Sequence, residues 1–235
     1  MTAIPAQAFE YCDDLRTVII PKCITSIENK AFNNCSNLKT VEIPESIISL
    51  GSDIFANCDN LPDIMGSYLV KWRGYMAEIP QNIKFIGDYA FQNNKNVTTV
   101  TMGNNVVYLG NNAFDGCSNL SNITLSQGIQ KIPWLAFNKC SSLQNIVLPV
   151  HLTTIGQGAF NAAGLTHVII PKSVEQIGQD AFFDCPLTTV VIAGSPTIGN
   201  SAFFQNNSTI QKIYYLGTSP NNISPDGNMF GDKSK

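Results

Sequence analysis

Charge is scarce in this chain: only 13% of its 235 residues are Asp, Glu, Lys or Arg, about half the usual share of roughly 25%. Asn, Ser and Thr supply the polarity instead. Fourteen Lys and Arg stand against 17 Asp and Glu, for a net charge of −3, and the basic residues never gather into a run. Binding along a phosphate backbone or an anionic lipid surface needs concentrated cations, so neither nucleic acid nor a membrane surface is an expected partner. No apolar stretch approaches the roughly 18 residues that span a bilayer, so this segment is not expected to insert into a membrane. The opening MTAIPAQAFEYC lacks the basic and apolar regions of a signal peptide. Histidine is nearly absent: His151 and His167 are the only two, and no GxSxG, HExxH, GxGxxG or GKS/T motif occurs. The acidic residues form no recurring pair of the kind glycoside hydrolysis uses. An enzyme is therefore not expected, nor a cofactor.

What the chain does contain is repetition, and a fixed period decides a fold before local propensity does. An Ala-Phe pair ends at Phe9, Phe32, Phe91, Phe114, Phe137, Phe160, Phe182 and Phe203, with Ile54-Phe55 as a ninth variant. The intervals are 21 to 23 residues, except for one of 36 between Phe55 and Phe91. Around each Phe the same frame returns, as in Ile27, Ala31, Phe32, Cys35, Leu38, Val41, Ile43, Pro44, Ile47 and Leu50. The copy from Ile132 to Ile155 matches it throughout by residue class.

Two periodicities alternate within a unit. From Ile27 to Cys35 the apolar offsets of 0, 4, 5 and 8 predict one face of a short helical or 3-10 segment. From Val41 to Ile43 the spacing of two predicts a strand with one buried face, ended by Pro44. A unit of this size cannot close its own core, so successive coils must stack. Nine coils with strands about 4.8 Å apart give a parallel sheet roughly 40 Å long.

The frame IxxxAFxxCxxLxxVxIPxxVxxI resembles the BspA-like leucine-rich repeats of bacterial and protist surface proteins. That resemblance implies an α/β repeat fold: a right-handed leucine-rich-repeat solenoid with a parallel sheet on one face and short helical or 3-10 segments on the return side. The expected organisation is one domain over residues 1–235 with about nine coils, an insertion near 62–82 and a closing segment at 213–235. The resemblance further implies a cell-surface or secreted location and a non-enzymatic role in adhesion or recognition. The implied partner is a protein or a host extracellular-matrix macromolecule, bound by a monomer. A purely structural spacer within a larger surface protein is the alternative.

Four features are weighed for function. Cys12, Cys35, Cys58, Cys117, Cys140 and Cys185 each follow the repeated Phe by three residues. No CxxC or CxxH pair is present, so zinc has no local ligands. Ala163 fills an equivalent slot, so the column is read as small buried thiols. The outward strand position reads Ile19, Glu42, Thr101, Thr124, Val147, Ile169, Val191 and Tyr214. Its apolar C-terminal half, Val147 to Tyr214, is a candidate binding strip. The insertion carries Tyr68, Trp72 and Tyr75 beside Lys71 and Arg73, the composition of an interface anchor. Asp226, Asn228 and Asp232 open like an oxygen-ligand loop but lack a closing Glu, so no metal is expected.

Overall fold

The computed structural model describes residues 2–42, 44, 46–51, 54–55, 58, 76–79, 81, 83–204 and 210–217. The chain winds as a solenoid in which each coil places the same residue beside its counterpart in the next. Strands at the VxI positions pair in parallel in three groups. Thr17–Ile19 joins Thr40–Glu42. Met76–Ile79, Thr99–Met102 and Asn122–Thr124 form the second group, and His167–Ile170, Thr189–Ile192 and Lys212–Tyr215 the third. Val168 faces Val190, which faces Ile213, so the register advances by one repeat at every step. Period-two patterning sets the two faces: Val168 and Ile170 are buried while His167 and Ile169 are exposed. The coil around Val147 does not pair as a strand, yet Ser142 N donates to Ser118 O (3.2 Å) and Thr166 N to Gln144 O (3.1 Å), holding it between its neighbours.

A second parallel sheet, which the periodicity did not reveal, runs along another side of the coil. Its rungs are nine two-residue strands, from Ala3–Ile4 to Thr197–Ile198. They fall into a group of five ending at Tyr108–Leu109 and a group of four beginning at Lys131–Ile132. Ser49 pairs directly with Phe85, so this register crosses the 36-residue interval unbroken. Met76–Ile79 occupies the VxI slot of its coil, with Ala77 opposite Val100. The extra residues thus enter ahead of a regular strand. The remainder of the insertion, with Tyr68, Trp72 and Tyr75, lies outside the described residues, as do Asp226, Asn228, Asp232 and most of 213–235.

The return side corrects the expected helical segments: among the described residues there is no helix or 3-10 segment. Two left-handed residues flank the repeated Phe in most coils, such as Lys30 (φ 57°) and Asn34 (φ 58°) around Phe32, and Asn112 (φ 54°) and Gly116 (φ 72°) around Phe114. Left-handed backbone interrupts a right-handed helix at once. What results is a string of tight turns whose amides divide two tasks. Asp115 N and Cys117 N close local turns onto Asn112 O and Phe114 O, whereas Asn112 N, Phe114 N and Gly116 N reach the next coil at Trp134 O, Ala136 O and Asn138 O (2.8–2.9 Å). Tandem turns bring every fourth or fifth side chain inward, and so mimic the apolar spacing of a helix.

The core is a set of columns. Phe32, Phe114, Phe137, Phe160, Phe182 and Phe203 are fully buried. From Phe91 to Phe203 the rings stack with centroids 4.9–5.4 Å apart and planes within 9° of parallel. That distance is close to the strand spacing, so one period satisfies both the ring stack and the backbone ladders.

Candidate functional site

The cysteine column lies inside the coil, with Cys35, Cys117, Cys140 and Cys185 buried and Cys23, the one residue outside the column, exposed. From the second coil on, the column thiols of Cys35, Cys58, Cys117, Cys140 and Cys185 donate to the carbonyl of the Phe in the preceding coil, as in Cys117 Sγ to Phe91 O at 3.0 Å, Cys140 Sγ to Phe114 O at 3.2 Å and Cys185 Sγ to Phe160 O at 2.9 Å. The column is therefore an inter-coil hydrogen-bond ladder as well as packing, a role its small-residue alternatives concealed. Burial pushes the Cys117 and Cys185 thiols up to about 12 and carries Cys140 well above its ordinary range. These groups hold their protons and are poor nucleophiles.

Two outcomes follow. In the folded protein Ellman's reagent labels Cys23 promptly and leaves Cys117, Cys140 and Cys185 unmodified until denaturant is added; prompt labelling of all seven would contradict this packing. The folded state binds these protons more tightly than the unfolded chain, whose thiols titrate near 9. Their contribution to stability is thus complete below about pH 9 and declines as pH rises towards 12. Replacing Cys117 and Cys185 by Ala should flatten that alkaline decline.

Among the described residues no three His, Cys, Asp or Glu side chains are grouped so as to hold a metal ion. A polar cluster surrounds Asp115, whose carboxylate accepts from Asn138 Nδ2 (2.7 Å), Gln92 Nε2 (2.9 Å) and Asn112 Nδ2 (3.3 Å). Three amide donors engage that carboxylate and tie adjacent coils together. His167 is exposed on its strand, beside the Thr166 hydroxyl at 3.2 Å. His151 is exposed one turn away from any strand.

The outward face of the longer strands is where the predicted strip is found. Ile169 lies directly opposite Val191, and Val191 opposite Tyr214. Ile169 is 61% and Tyr214 48% exposed, with Val191 half-buried between them. Val147 is 78% exposed, but its segment is unpaired, so the register joins three of the four residues and leaves Val147 on the neighbouring coil. Ile19 is exposed too, at the far end of the same face, and there it pairs with Glu42. The apolar character thus belongs to the C-terminal half. The outward column of the second sheet was missed altogether, although it carries exposed Phe85 and Tyr108. Its signal was the residue just before the last apolar position of the frame.

The model for the BspA type leucine rich repeat region matches residues 2–72, 75–189 and 145–226, with six copies. Among solved structures, the chain is similar to a leucine-rich repeat protein from Bacteroides ovatus, with 21% identity and a TM-score of 0.64 over 100% of this chain and 67% of that one. It is also similar to a leucine rich cell surface protein from Faecalibacterium prausnitzii, with 25% identity and a TM-score of 0.55 over 94% of this chain and 59% of that one. The leucine rich repeat protein of T. pallidum shares 31% identity over 61% of this chain and 71% of its own, with a TM-score of 0.55. No curated protein sequence matches.

Proposed function

Because this chain belongs to the BspA-type leucine-rich repeat family, we propose that it is a non-enzymatic recognition module, acting at the cell surface or after secretion. In this reading the whole chain is one monomeric solenoid domain that binds a protein or host extracellular-matrix macromolecule along the outward face of its longer strands. The observation that carries the reading is the registered column of Ile169, Val191 and Tyr214, apolar side chains held side by side on a face open to solvent. Contiguous exposed apolar surface of this kind marks interaction sites. The similar protein from Faecalibacterium prausnitzii is described as a cell surface protein, which supports the location. The parallel pairing of His167–Ile170, Thr189–Ile192 and Lys212–Tyr215 holds the column in place, so little conformational entropy is lost on binding.

The test pairs Ile169→Glu with Val191→Glu. Capture of the chain by immobilised extracellular-matrix proteins, read by surface plasmon resonance, should weaken by about 2 kcal/mol or more per position. Tm should change little, because Ile169 faces solvent and Val191 is only half-buried. Unaltered capture by the double variant would reject the strip. A chain that captures nothing even unmodified would be a spacer.

A further inference from the structure

On the second sheet, away from the apolar strip, a groove of about 430 Å³ opens across the rungs of Ser49, Phe85 and Tyr108. Its volume sits at the lower end of ligand-sized clefts. Phe85 and Tyr108 are 41% and 48% exposed. Their ring centroids lie 6.3 Å apart and their planes are inclined at 49°, forming a corner and not a flat platform. Glu28 and Asp88 also line it, beside Asn29, Gly51 and Gly87. Each carboxylate has one oxygen engaged: Glu28 Oε1 by the Ser26 hydroxyl (2.9 Å) and Asp88 Oδ1 by Asn111 N (2.7 Å). Neither Glu28 Oε2 nor Asp88 Oδ2 accepts a hydrogen bond from the described residues. Among the described lining residues there is no Lys or Arg; exposed Lys84 precedes Phe85 in the chain, and Lys131 stands one rung further along. Glycine at position 51 keeps the floor low, since a Cβ there would come within 2.5 Å of Asn29 N.

Two carboxylates with spare acceptor oxygens and two exposed aromatic faces, with no cation among the described lining residues, are complementary to a positive group. We propose that this groove receives the guanidinium of an arginine in a basic peptide segment of a partner protein. Guanidinium is planar, stacks on an aromatic face and offers a fork of donors to carboxylates, so it uses both kinds of wall at once. A pyranose ring would prefer a flat stacking surface, which rings inclined at 49° do not provide. This site is independent of the strip bearing Ile169 and Val191.

The test is calorimetric titration of the intact chain at low salt with an acetylated, amidated Gly-Arg-Gly-Arg-Gly peptide. Its counterpart with citrulline in place of arginine is isosteric but uncharged. The arginine peptide is expected to bind, and the citrulline peptide to bind at least about tenfold more weakly. Asp88→Asn, Glu28→Gln and Tyr108→Ala should each weaken arginine-peptide binding severalfold while Tm stays within a few degrees. The variant carrying Ile169→Glu and Val191→Glu should bind the peptide normally. Absence of binding, equal binding of the citrulline peptide, unaltered affinity when Asp88→Asn and Glu28→Gln are combined, or preference for a neutral oligosaccharide would each overturn the proposal.

Discussion

Truncation of Phe137 to alanine is expected to destabilise the protein by about 3–5 kcal/mol, the range for a fully buried aromatic lost to a cavity. The ring has no exposed surface and is stacked between Phe114 at 5.4 Å and Phe160 at 5.3 Å. Two favourable stacking contacts therefore disappear with the buried area. Relaxation into the void is opposed from both sides, because Phe114 N and Phe137 N tie their coils to Ala136 O and Ala159 O at 2.8–2.9 Å. Phe9 provides the comparison: it is 42% exposed and stacks on Phe32 at 5.1 Å at the first coil. Phe9→Ala should cost less than half as much. Since each coil touches only its neighbours, hydrogen exchange in Phe137→Ala should accelerate first in the coils of Phe114 and Phe160. Chemical denaturation giving equal losses for Phe9→Ala and Phe137→Ala would show that the stack does not act rung by rung.

Gly178→Ala is expected to destabilise the protein by about 3 kcal/mol, the upper part of the range for overpacking. The usual sign for such a substitution is the reverse: where φ is compatible, Gly→Ala stabilises by about 0.4–1 kcal/mol through the unfolded state. Here a Cβ would lie 2.5 Å from Gln157 N and 2.7 Å from Gly156 C, backbone atoms of the preceding coil. Those atoms cannot swing aside as a side chain would. Gly178 N donates to Ile155 O at 2.7 Å, and Gly156 and Gly199 repeat that bond on Ile132 O and Ile177 O at 2.7 and 2.8 Å. Room for a methyl must come from lengthening this ladder. A thermal melt in which Gly178→Ala matches or exceeds the parent would refute the close approach of the coils.

Much of the architecture was legible before any coordinates. The recurring Ala-Phe pair identified the inward column, the spacing of two identified strands, and the outward position from Ile19 to Tyr214 came out on the solvent face. Other features were hidden for physical reasons. A two-residue strand such as Lys131–Ile132 is too short to display alternation, so the second sheet had no periodic signal. Left-handed positions on the return side are filled by Lys30, Tyr89, Leu135 and Asp180, where glycine would have announced a turn. Tandem turns then share their inward spacing with a helix, and propensity alone does not separate the two. The groove was invisible for a third reason. Ser49 and Phe85 are adjacent rungs separated by 36 positions in the chain, and only closing that interval brings the aromatic corner beside Glu28.

On the return side, the amides of alternate residues all point the same way: Gln7, Phe9 and Tyr11 donate to Asn29, Ala31 and Asn33, and the coils of Phe91, Phe114, Phe137, Phe160 and Phe182 do the same towards their successors. In the flanking strands the donors alternate, with Ile20 N reaching forward to Glu42 O and Lys39 N reaching back to Arg16 O. The turn ladder thus gives the stack an arrow. A coil can be duplicated or deleted whole, because its two surfaces still meet the mates they were shaped for. A block spliced in back to front would set carbonyl against carbonyl. Length in such an array can change by whole-number steps during evolution, while orientation stays locked.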